Sequence, residues 1–254
     1  NAAWIWVPFL IFFTLAAWFG MNDIASAKAS FKDQAIIFTR KHNWIMCVLY
    51  LGTFGSFIGF AAGFPLLIKS QFPAVDPVKY AFLGPLVGAL VRPLGGWLSD
   101  KIKSGAAITQ IVFIGMIVAV CGVLAFLPTD GQGGSFWGFF ACFMALFALT
   151  GLGNGSTFMQ VPVIFLNMHQ RFAEQGLVDA EQARLDATKE GAAVIGFTAA
   201  FAAYGGFFIP KSYGTSIAVT GSVNAALIAF IVFYVLCGAL NWWYYARKGA
   251  EAKC

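Results

Sequence analysis

Long apolar stretches alternate with short polar clusters along the chain, at roughly residues 4–20, 44–68, 78–98, 106–127, 136–168, 191–209 and 216–245. Each comes close to or exceeds the ~20 residues that a helix needs to cross a hydrocarbon layer of ~30 Å. The runs are continuously apolar, whereas a lipid-facing strand would alternate, so the pattern predicts seven membrane helices and not a barrel. The first run opens directly on Trp4, Trp6 and Pro8 with no basic region ahead of it, and is therefore not read as a signal peptide. Asn1 stands where a methionine would initiate a complete chain, as expected of a piece of something longer.

Composition sharpens this. Of 254 residues, 59% are hydrophobic and 11% charged, with a mean hydropathy of +0.76. A water-soluble domain of this length would cover its surface with polar groups, which excludes an ordinary soluble enzyme. The net charge of +5 sits in clusters between apolar runs, so it reads as membrane orientation and not as a nucleic-acid surface. The five cysteines form no CxxC pair, and the two histidines, His42 and His169, lie far apart near segment ends. Neither a disulfide framework, a metal site nor a cofactor is expected.

The basic residues set the topology. Lys28, Lys32, Arg40, Lys41, Lys101, Lys103, Arg171, Arg184, Lys189, Arg247, Lys248 and Lys253 fall on one side; Lys69, Lys79 and Lys211 fall on the other. The richer side is expected to be cytoplasmic, placing the N-terminus outside and the C-terminus inside. Trp44, Trp97, Trp137 and the run Trp242 to Tyr245 fall near segment ends, where amphipathic rings favour the interface. The connections 21–43 and 169–190 are longer than turns. The second contains AEQARLDATKE, expected to be a solvated surface helix without a binding role.

One basic residue remains. Arg92 lies eight residues before Asp100 and thirteen after Lys79, about 12 and 20 Å along a helix, which puts its backbone near mid-membrane. Arginine does not shed its proton, so an uncompensated charge there is costly. Asp23, Asp33, Asp76, Asp100, Asp130, Glu174, Asp179, Glu181, Asp186, Glu190 and Glu251 are all expected in loops or at segment ends. The counter-charge must then come from another polypeptide, from water and carbonyl dipoles, or from a bound anion. Pro93 frees the carbonyl of Ala89, and Arg92 bonded only to such carbonyls is the structural alternative.

Small and polar residues surround this charge. Gly84, Gly88, Arg92 and Gly96 recur at four-residue spacing, as do Gly55, Gly59 and Gly63, while Tyr50 and Phe54 form a pair one turn apart. Residues 151–162, GLGNGSTFMQVP, interrupt the fifth run with Asn154, Ser156, Thr157 and Gln160. Gly191, Gly196, Gly205 and Gly206 surround Thr198 and Tyr204 in the sixth. Glycine rows of this kind serve most often as packing faces. Gly and Pro interruptions near mid-membrane also mark transport sites.

These features carry a family resemblance. RPLGGWLSDKIKSG is similar to the loop motif of the major facilitator superfamily, a helix ending in Gly-x-x-x-Asp before basic residues and Gly; Gly96 and Asp100 fit, and the final glycine comes two positions late. With Arg92, Tyr50, Phe54, GLGNGSTFMQVPVIF and GAAVIGFTAAFAAYGGFFIP, the chain resembles the C-terminal half of bacterial nitrate/nitrite porters. The resemblance implies an all-α membrane protein: residues 1–20 as the sixth helix of a twelve-helix transporter, 21–43 as the cytoplasmic inter-domain linker and 44–254 as the C-terminal six-helix bundle. It implies a partner N-terminal half carrying a second arginine, and a location in the bacterial inner membrane. Arg92 would grip nitrate or nitrite, Tyr50 would hydrogen-bond it and Phe54 would pack against it. The 191–209 segment would be a close-packed helix that slides or bends, with Asn154, Gly155, Gly196, Thr198, Gly205 and Gly206 as cavity or helix-packing positions.

The chemistry agrees: a planar guanidinium offers two parallel donors to two oxygens of a small oxyanion. Two arginines facing one cavity repel each other, and substrate relieves that repulsion and favours closure. No mid-membrane acid or histidine is expected for a proton relay, so nitrate/nitrite exchange is preferred over proton symport, with an anion channel as the other alternative. A seven-helix receptor is the remote one. A retinal pigment would need a mid-helix lysine, and none is expected.

Overall fold

Because lipid cannot hydrogen-bond a backbone, the apolar runs fold as helices, and the computed structural model shows helices and turns throughout residues 2–22, 30–128 and 133–254, which it describes. Asp23, Lys28 and Asp130, and the side chain of Asp33, lie outside the described residues. The chain divides into two units, one ending at Ala35 and one running from Ile36 to Cys254. The first contains α1 (Ala2–Gly20) and α2 (Phe31–Gln34). α1 is apolar all round, with Trp4, Phe12 and Trp18 exposed, and Thr14 satisfies its own hydroxyl by donating to the Leu10 carbonyl at 2.7 Å.

The second unit contains α3 (Lys41–Tyr50), a π turn (Leu51–Gly55), α4 (Ser56–Gln71), α5 (Leu83–Ile102), α6 (Gly105–Phe126), α7 (Phe136–Glu174), α8 (Ala180–Ala203), α9 (Gly205–Thr220), α10 (Asn224–Asn241) and a second π turn (Trp242–Ala246). These join into six spans long and apolar enough to cross a membrane: Lys41–Gln71, Pro77–Ile102, Gly105–Phe126, Phe136–Glu174, Ala180–Thr220 and Asn224–Ala246. Among the described residues, α1 is a shorter apolar helix. This is a multi-pass, all-helical membrane protein.

Three boundaries differ from the sequence expectation. The run 216–245 is not one helix: α9 ends at Thr220, Gly221 takes φ 73° and α10 starts at Asn224. Apolar residues on both sides hide this turn, which satisfies its own polar groups. Ser216 Oγ donates to the Ser222 carbonyl at 2.6 Å, and Thr220 Oγ1 to the same carbonyl at 3.0 Å. Lys211 consequently lies inside α9, exposed, with Nζ 5.8 Å from the Phe207 ring centre, and not at a segment end. The 169–190 connection is also mostly helix, since α7 continues to Glu174 and α8 begins at Ala180, capped by the Asp179 carboxylate on the Glu181 amide. Ala180–Thr220 is 41 residues, roughly 60 Å of helix against a ~30 Å core, so its first turns stand clear of the hydrocarbon.

α7 is the central helix, touching α3 to α6 and α8. On it, Phe139, Phe143 and Phe147 build a buried aromatic core with Phe60 and Phe64 of α4, closest at 4.7 Å between the Phe64 and Phe143 ring centres. Two crossings admit no side chain: Gly151 of α7 lies on the Gly88 carbonyl of α5, and Gly205 of α9 on the Gly55 carbonyl of the π turn. Small residues drive association here because lipid gives helices no hydrophobic reason to pair.

Candidate functional site

Arg92 stands at the middle of the 20-residue helix α5. Gly155 of α7 seats against its main-chain carbonyl and Gly95 against the Leu152 carbonyl, so the two backbones touch on either side of Pro93. The Arg92 side chain points away from that contact and is exposed on this unit. Among the described residues no carboxylate lies within 4 Å of it, nor does its guanidinium hydrogen-bond a backbone carbonyl. The carbonyl-only alternative for Arg92 is therefore not what the structure shows.

The guanidinium carbon sits 5.8 Å from the Phe54 ring centre, within cation–π range. Phe54 in turn stacks on Tyr50 at 5.1 Å and 28°. Thus the structure brings together the three residues that sequence reading selected. Tyr50 ends α3 and Phe54 lies in the π turn that follows, a wide turn that re-aims the side chains of a helix. Gly52 makes room for that turn: a Cβ there would be 2.9 Å from Phe113 and 3.0 Å from Cys237 Sγ.

The polar run 151–162 does not break α7, which passes through it, and its polar side chains, Asn154, Ser156, Thr157 and Gln160, are buried and used. Tyr50 donates its hydroxyl to Asn154 Oδ1 at 2.8 Å. Thr157 donates to the Gly153 carbonyl at 2.6 Å and faces Thr53 Oγ1 at 3.3 Å. Ser156 pairs with Thr109 at 2.8 Å, and Gln160 donates to the same Thr109 at 2.7 Å. The network ties α7 to α3, the π turn and α6, and leaves Asn154 beside the aromatic pair.

The remaining candidate positions divide. Gly155, Gly205 and Gly206 are close-approach sites, against the Arg92 carbonyl, the Gly55 carbonyl and the Ile58 methyl. Thr198 is buried and turned back on its own helix, donating to the Val194 carbonyl at 2.8 Å. Gly196 is exposed and has no atom within 4 Å of where its Cβ would be, so within this unit it packs on nothing.

Sequence reading missed two features. Gly95, not Gly96, makes the tightest α5 contact on this stripe: a Cβ on Gly96 would meet only Met159 Cγ, at 3.7 Å. The adjacent GG pair was the available signal. Glu190, expected at a segment end, is buried inside α8 at 6% exposure and bound by two Arg40 nitrogens, Nε at 2.8 Å and Nη2 at 2.7 Å. His169 Nε2 lies 3.4 Å from the same carboxylate. A spacing of 150 residues offers no pattern from which to pair them.

No family model matches the chain. It is 49% identical over its whole length to "Nitrate/nitrite transporter NarU" of Escherichia coli, covering 54% of that protein. It is 50% identical over 98% of its length to "Nitrate/nitrite transporter NarU" of Salmonella typhimurium, covering 53%. It is also 39% identical over its whole length to "Probable nitrate/nitrite antiporter NarK2" of Thermus thermophilus, again covering 53%. The chain spans about half the length of these curated relatives. Along that whole length it is a homologue of the bacterial nitrate/nitrite transporters, consistent with the C-terminal half of a major facilitator superfamily porter.

Proposed function

We propose that this chain is the C-terminal half of an alternating-access transporter that exchanges nitrate and nitrite across the bacterial inner membrane. Residues 1–20 supply the sixth helix, 21–43 the cytoplasmic linker and 44–254 the six-helix bundle, with the C-terminus cytoplasmic. An N-terminal six-helix half and the surrounding bilayer complete it, and the reading assigns no catalysis. The observation that carries the proposal is Arg92: a permanent charge at mid-helix, exposed on this unit, with an aromatic ring at 5.8 Å and, among the described residues, no carboxylate within 4 Å to neutralise it. In this reading the guanidinium grips two oxygens of the anion, Tyr50 supplies a further hydrogen bond, and Phe54 fixes shape and excludes water. The names of the homologous proteins support the substrate class.

Exchange is favoured over proton symport because, among the described residues, the one buried acid, Glu190, is already held by Arg40. The test is nitrate uptake into proteoliposomes holding the intact transporter. Uptake is expected to need nitrite or nitrate inside and to saturate. Uptake driven by a pH gradient into vesicles free of internal anion would refute exchange, and non-saturating flux would indicate a channel.

A further inference from the structure

A neutral phenol has one proton and gives it to one acceptor at a time. In this structure the Tyr50 proton goes to Asn154 Oδ1, at 2.8 Å, and a phenol so engaged turns lone pairs, not a donor, toward other neighbours. The other end of the same carboxamide, Nδ2 with two N–H groups, makes no hydrogen bond to another described residue and holds the slight solvent access that Asn154 retains, so no protein contact fixes it where it is.

We infer that Asn154 is a positioning residue whose carboxamide turns over when an oxyanion docks on Arg92. After the half-turn Nδ2 donates to Tyr50 Oη, and the phenol proton, released from Oδ1, points to the anion. Asparagine suits both states because it carries an acceptor and a donor at equivalent reach, exchanged by rotation about a broad, two-fold χ2. The backbone cannot shift instead: Gly153 is packed against Thr53 and Val112, and Gly155 against the Arg92 carbonyl. Asn154 therefore acts through Tyr50 and couples the hydrogen-bond state of the phenol to occupancy of the site. This inference rests on the anion reading of Arg92 given above.

The test is nitrate titration of the intact transporter with Tyr50→Phe, Asn154→Leu and the double variant. Each single change is expected to raise the nitrate Kd about tenfold, the loss of one hydrogen bond to a charged group, and the double variant about tenfold as well, because both remove one relay. An additive, roughly hundredfold loss would show that Asn154 acts apart from Tyr50 and overturn the inference. An infrared difference spectrum of the unaltered protein, with and without nitrate, gives a second reading that needs no variant. The tyrosine C–O band should shift as the phenol changes from pure donor to donor and acceptor, and Tyr50→Phe should abolish that shift. Nitrate binding without a tyrosine shift would overturn the turnover and leave the anion site standing. Failure of the unaltered protein to bind nitrate at all would overturn both.

Discussion

Gly155 of α7 lies against the main-chain carbonyl of Arg92 on α5, so closely that no side chain could stand between them. The depth and direction of the guanidinium are therefore set by a backbone contact on the opposite face of α5. Gly155→Ala, and likewise Gly95→Ala, should push the helices apart and destabilise the protein by roughly 1–3 kcal/mol, as overpacking does. Gly96→Ala adds a methyl only 3.7 Å from Met159 Cγ, an ordinary contact, and should leave stability unchanged. Thermal melts of the three variants in detergent check the contrast. Equal melting temperatures for Gly95→Ala and Gly96→Ala would contradict it.

Among the described residues Arg92 has no ion pair to lose. Arg92→Lys keeps the charge but replaces a planar two-donor fork with a point charge. The expected outcome is a melting temperature without nitrate close to that of the unaltered protein, together with a nitrate Kd raised roughly 10- to 100-fold. That range corresponds to the 1.5–3 kcal/mol of a charge-assisted hydrogen bond. Titration followed by calorimetry measures the second quantity, and near-normal affinity would remove Arg92 from the binding role.

The spans were legible because uninterrupted apolar runs leave little choice of structure in lipid, and Arg92 was legible because it was the basic residue left over inside one. Tyr50 and Phe54 stood out as a pair one turn apart whose roles came from resemblance, Asn154 as a polar residue in an apolar run, and only coordinates show that their side chains meet. Features depending on helix phase or distant pairing were not legible. The π turn at 51–55 has no composition of its own. The choice of Gly95 over Gly96 depends on which face of α5 meets α7 next to Pro93. The turn at Gly221 is flanked by apolar residues on both sides, so the hydropathy pattern passes straight across it.

Arg40 grips Glu190 with two parallel hydrogen bonds at 2.8 and 2.7 Å, with side-chain exposures of 22% and 7%. This fastens the chain just ahead of α3 to α8. Glu190→Gln leaves the guanidinium partly buried without its counter-charge and should cost roughly 3 kcal/mol, while replacing both partners with apolar residues should cost less. Melting temperatures of Glu190→Gln and of Arg40→Met/Glu190→Leu provide the comparison. A double variant less stable than the single would show that the pair contributes more than mutual compensation.

Near that clamp, Lys41 Nζ donates to both oxygens of Glu251 at 2.6 Å, and this hydrogen bond holds the Glu251 carboxyl below its ordinary value of 4.5, with burial opposing it. A carboxylate with a lowered folded-state pKa stabilises the fold above the unfolded value, and that contribution fades as pH falls through the folded one. Both side chains are about half exposed, at 53% and 45%, so screening keeps the effect under about 1 kcal/mol. The unaltered protein should therefore melt slightly above Glu251→Gln at pH 6 to 7. The two curves should converge once pH has fallen below the lowered folded-state value, where the carboxyl is protonated in both states and the variant has nothing left to remove. The gap at pH 6 should also shrink in high salt, as expected for an exposed pair. A gap that persisted unchanged to pH 3 would assign the difference to packing of the 251 side chain and not to its charge.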